Sequence, residues 1–170
     1  MITVANKVGK LVEVRVQSPI SAAEIMEMSR QIFEIVKRCS TIRVVTDLRS
    51  ATVFPTDLAE RIVSFLRQDS PAIERGAFIL GDSAVFALQI ERILRDSKND
   101  KRRFFRDRRQ LSAWLGELLT PLEGDRLTSF LIEGEPPGVT PPSSPAPSWP
   151  GSVTVPASYG PSGPTSSRRR

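Results

Sequence analysis

Apolar positions change period several times along the first 130 or so residues, and each change predicts an element. Ile2-Thr3-Val4 and Leu11-Val12-Glu13-Val14-Arg15-Val16 alternate across a turn at Lys7-Val8-Gly9-Lys10, which predicts an antiparallel hairpin with one wet face at a sheet edge. The period then lengthens. Ser21 and Glu24 form a capping box, with Ile20 and Ile25 placed to staple it. Ile25, Met28, Ile32, Ile35, Val36 and Cys39 recur at three- and four-residue spacing, an amphipathic helix. Thr41 to Arg49 is a short β-branched run between helical patterns, so it reads as a strand covered on both faces.

The alternation continues. Thr56 suits an N-cap, followed by Asp57 in the first turn and a stripe of Leu58, Ile62, Phe65 and Leu66. Gly76 to Gly81 reads as a second buried strand, and Ser83 caps a helix carrying Phe86, Ile90, Ile93 and Leu94. Arg102-Arg103-Phe104-Phe105-Arg106 predicts a short edge strand whose arginines discourage further pairing. Asp107 and Gln110 open a helix with Leu111, Leu115, Leu118 and Leu119, and Trp114 stands at its border. Thr120-Pro121 is read as its end, and Arg126 to Ile132 as one further apolar turn. The expected fold is α/β, a mixed five-stranded sheet with packed helices over residues 1–134. From Glu135 to Arg170, Pro, Ser, Gly and Thr leave few apolar groups to offset ordering, so a disordered tail is expected.

Composition narrows the chemistry. The 170 residues include no histidine and one cysteine, Cys39, read as a small buried hydrophobe. The common zinc sets and any Ser-His-Asp or Cys-His nucleophile are therefore excluded, and neither a metal nor another cofactor is expected. No apolar run spans a bilayer, the N-terminus lacks a secretion pattern, and a lone cysteine fits the reducing cytoplasm.

Charge is concentrated. Between Glu91 and Arg109 nine cations face four anions, so this window alone equals the net charge of +5. Arg102, Arg103 and Arg106 within it define a basic surface. Its interspersed anions favour solvated surface or an acidic protein over nucleic acid. Arg168-Arg169-Arg170 at about 1 kcal/mol each would hold the tail only weakly to an anionic membrane.

Asp47 and Arg49 close the central strand, at the sheet end where open α/β proteins place ligands. Either they shape a partner surface, or they pair with each other or with a helix end. Phe54 in the loop Ser50–Asp57 is either an interface anchor or a lid on the core beneath the second helix. The two opening strands, Val44-Val45-Thr46-Asp47-Leu48-Arg49 and Arg103-Phe104-Phe105-Arg106-Asp107 stand in an order that resembles the STAS family, sulfate-transporter and anti-sigma-factor-antagonist domains, in its SpoIIAA-like group. The resemblance spans roughly residues 1–120. It implies a non-enzymatic regulator or scaffold that binds a kinase or other protein partner. It also implies phosphorylation at the start of the second helix. The family's Asp-Ser-Ser-Gly-like loop is absent here, and Thr56 is the nearest equivalent, with Ser50 upstream. Partner contacts are thus expected at Asp47, Arg49, Phe54 and Thr56. The alternative function is a carrier for a small apolar, lipid-like ligand held between helix and sheet.

Overall fold

A computed structural model of the chain describes residues 1–68 and 71–134; the predicted tail lies outside the described residues. The fold is α/β, with a mixed five-stranded sheet and five helices. In chain order these are β1 (Ile2–Val8), β2 (Leu11–Gln17), α1 (Ala22–Cys39), β3 (Ile42–Ser50), α2 (Thr56–Gln68), β4 (Ile73–Leu80), α3 (Ala84–Ser97), β5 (Arg102–Phe105), α4 (Arg108–Gly116) and α5 (Pro121–Glu133). The predicted caps at Ser21, Ser83 and Asp107 all form, and Ser21 with Glu24 closes the full box.

Strand order in space is strand order in the chain, β1 to β5. The β1–β2 pair is antiparallel, and every later pair is parallel. This order dictates the layers. Each parallel crossover is right-handed, and all three step in the same direction, so α1, α2 and α3 land on one face. Their inward residues, including Ile25, Ile32, Leu58, Phe86 and Ile90, join Val12, Val14, Val44 and Leu48 in one core. The other face is left for the elements after the last strand. Leu111 and Leu115 of α4 and Leu127, Phe130 and Leu131 of α5 cover Leu11, Val45, Ala77 and Ile79 there. Val45, fully enclosed, is the two-sided strand position that its pattern predicted.

Several expectations shift. β4 starts at Ile73, three residues before Gly76. Thr56 is the first helical residue of α2 rather than a cap outside it. α4 ends at Gly116, leaving Leu118 and Leu119 beyond it. The single apolar turn at Arg126–Ile132 is instead part of a thirteen-residue helix. Thr120-Pro121 begins that helix: the Thr120 hydroxyl accepts from the Glu123 amide, and the Glu123 carboxylate accepts from the Thr120 amide at 2.8 Å. Proline at the first helical position lacks only an N–H that would have been orphaned.

Candidate functional site

α5 decides the fate of the residues assigned to a partner surface. The Arg49 guanidinium bonds both carboxylate oxygens of Asp47 (3.0 and 2.9 Å) and donates to the Leu131 carbonyl at 2.8 Å, in the last turn of α5. Arg15 lies 3.6 Å from the Asp47 carboxylate, donates to the Phe130 carbonyl and stacks over the Phe130 ring. Asp47 is 3% exposed. The pair therefore anchors a helix C-terminus, satisfying an orphan carbonyl there, which is the internal pairing rather than the exposed surface of the two readings. Nor is there a strand-order reversal along the parallel sheet to open a ligand crevice at that end.

The same face holds two more ionic contacts. Arg126 grips the buried Glu13 through two bonds (2.5 and 2.6 Å) and reaches Glu133 at 2.8 Å. Hydrogen bonding from Arg126 holds the Glu133 carboxyl below its usual range. Glu123 is 2% exposed and accepts the Lys10 amide at 2.6 Å from the hairpin turn, with Arg43 at 3.6 Å. Burial pushes its carboxyl up, but the Thr120 and Lys10 amides, the Thr120 hydroxyl and Arg43 outweigh that and lower it. This network fastens α5 to the sheet.

Phe54 is likewise corrected from anchor to core. It is 6% exposed and meets the Phe86 ring edge-on at 5.2 Å. Gln89 of α3 binds its backbone in both directions, accepting from the N–H and donating to the C=O. The loop is thus stapled over the core, while Val53 faces out. Ser50 and Thr56 are exposed hydroxyls; Thr56 borders the α2–α3 cleft, whereas Arg49 bonds to α5. Of the basic surface, Arg103 and Arg106 are exposed, but Arg102 is buried on the α1–α3 side of the sheet, beside Gly76. Alternation along a strand separates Arg102 from Arg103, so the three arginines share no face.

A wide concavity lies elsewhere, between α1 and α2. α2 packs more closely on α3 than on α1, leaving a groove of about 1020 Å³. Its floor and walls include Ile25, Ile32, Val36 and Phe65, with Met26 and Phe33 at 68% and 58% exposure. Arg30, Asp57, Glu60 and Arg61 add charge along the rim. Lys37 sits 4.6 Å over the Phe33 ring, holding the ring outward. The signal was present in the sequence: Met26 and Phe33 lie off the apolar stripe of the first helix, where polar residues belong. A second, narrower space of about 80 Å³ lies between the sheet and α1–α3.

No described helix is long and apolar enough to cross a membrane. In comparison with known proteins, no family model and no curated protein matches the chain.

Proposed function

We propose that this chain is a non-enzymatic regulatory or scaffold module that holds a helical segment of a protein partner in the α1–α2 groove. The observation that carries this is the groove itself, with two large apolar side chains turned to solvent within it. Exposed contiguous apolar surface rimmed by charge is characteristic of interaction sites. Thirteen residues of α2 span about 20 Å, room for a partner helix of similar length laying its apolar face against Phe33 and Met26. The element order that resembles STAS antagonists suits such a role, and the absence of histidine removes the usual nucleophile–base pairs. A cytoplasmic setting is favoured by the lone Cys39.

The carrier reading has less support. Drug-sized ligands occupy roughly 300–1,000 Å³, and the space between sheet and helices offers about 80 Å³. A lipid does not fit that space.

A photo-crosslinking amino acid at position 33, expressed in the native cells, tests the groove. One discrete protein adduct is expected there and none from the same probe at exposed Gln110 on the other face. Met26→Glu should then abolish the adduct without lowering the melting temperature. Adducts at both positions, or none at 33, would overturn the assignment.

A further inference from the structure

α1 carries two apolar stripes side by side. Ile25, Met28, Ile32, Ile35 and Cys39 face the core at three- and four-residue steps. Beside them Ala22, Met26, Ser29, Phe33 and Val36 line the groove wall at steps of four, three, four and three. That spacing is the seam of a two-helix coil, in which knobs of one helix enter holes of the other. Small and large residues alternate along it. A parallel copy would set Phe33 on Phe33 and Ser29 on Ser29, large on large and small on small. A copy turned end for end instead seats each Phe33 on the small Ser29 opposite, and Met26 against Val36.

We infer that the occupant of the α1–α2 groove is α1 of a second copy of this chain, the two α1 helices antiparallel about a two-fold axis. The inference rests on the reading of the groove as a helix-binding site and names its partner. Charge favours the same orientation. The first half of α2 is net acidic on the rim, Asp57 and Glu60 against Arg61, and the end of α1 is net basic, Lys37 and Arg38 against Glu34. End-for-end pairing brings acidic start to basic end, whereas parallel pairing brings like to like. Lys37 keeps its own Glu34 at 3.0 Å, so it contributes to the field at the helix end without forming a new bond. Near the axis, Arg30 already grips Glu27 at 2.9 and 2.6 Å, so the two copies bring no unpaired arginines together there. A contact of this kind presents the same patch from both copies and closes at two.

Sedimentation equilibrium of the full chain at micromolar concentration is expected to give twice the chain mass. Met26→Glu should weaken the dimer by about tenfold or more while keeping the wild-type far-ultraviolet circular dichroism. Disulfide trapping reads the register. Ser29→Cys and Phe33→Cys are made separately, each with Cys39→Ala to remove the native thiol. Oxidising the two together should yield several-fold more linked dimer than oxidising either alone, and the mixed pair keeps one native Phe33–Ser29 contact. Linkage as ready in either variant alone, or a dimer that Met26→Glu leaves intact, would overturn the inference. A monomeric chain would overturn it too. In that case the groove reading stands if position 33 captures a different protein in cells, and falls with it if position 33 captures none.

Discussion

Gly9 and Gly124 show how differently one methyl group can act within the same contact region. Gly9 has φ +53°, and a Cβ there would collide with the Glu123 carboxylate oxygen. Gly9→Ala therefore combines left-handed strain with displacement of a buried carboxylate, and should cost about 2–4 kcal/mol. Gly124 lies in the first turn of α5 with nothing within 4 Å of its would-be Cβ. Gly124→Ala should stabilise by about 0.5–1 kcal/mol, since it lowers the entropy of the unfolded chain. Urea denaturation of both variants checks the contrast, and two effects of the same sign would contradict it. Three of the side chains assigned to a partner are held inside for a related reason. Asp47, Arg49 and Phe54 are chemically suited to a surface, and only the presence of α5 and α3 turns them into internal contacts.

At the scale of elements, the strands and first four helices were legible because their period and their caps agreed. Ser21 with Glu24, Ser83 and Asp107 each precede an apolar stripe of the right spacing. α5 was not legible as a helix, for two physical reasons. Proline after Leu119 signals a stop for the preceding helix as well as a first turn for the next, and the stop was the simpler reading. Its inward face is also partly ionic: Glu123 and Arg126 point at the sheet beside Leu127, Phe130 and Leu131, so an apolar stripe underestimates it. The groove was missed because its helices are amphipathic on their own, and the gap between them is a property of packing. Two predictions follow from α5. A chain ending at Gly134 should melt cooperatively near the full-length temperature, while one ending at Thr120 should lose the transition, with Val45, Ala77 and Ile79 uncovered. Arg126→Ala strands the buried Glu13 carboxylate and should cost about 3–5 kcal/mol. A cost below 1 kcal/mol would show that the pair does not fasten the helix.

The whole molecule inherits an acid sensitivity from the same network. The Glu123 carboxyl is lower in the folded protein than in the unfolded chain, where about 4.3 is usual. The folded state therefore binds protons less readily, and the associated stability is present above that value and lost as pH falls below it. Denaturation measured between pH 7 and pH 3 should show this fall. Glu123→Gln should be less stable at pH 7 yet flatter through the acid range; an unchanged slope would point to other groups. The sequential strand order has a further consequence, in the timing of synthesis. Because α1–α3 all fall on one side, Ile79 is made 52 residues before Leu131, the last residue of the layer that covers it. At about 5–20 residues per second the ribosome takes roughly 3–10 s over that interval. During it the sheet face that α4 and α5 will cover stays bare, so the growing chain exposes apolar surface that the finished protein hides.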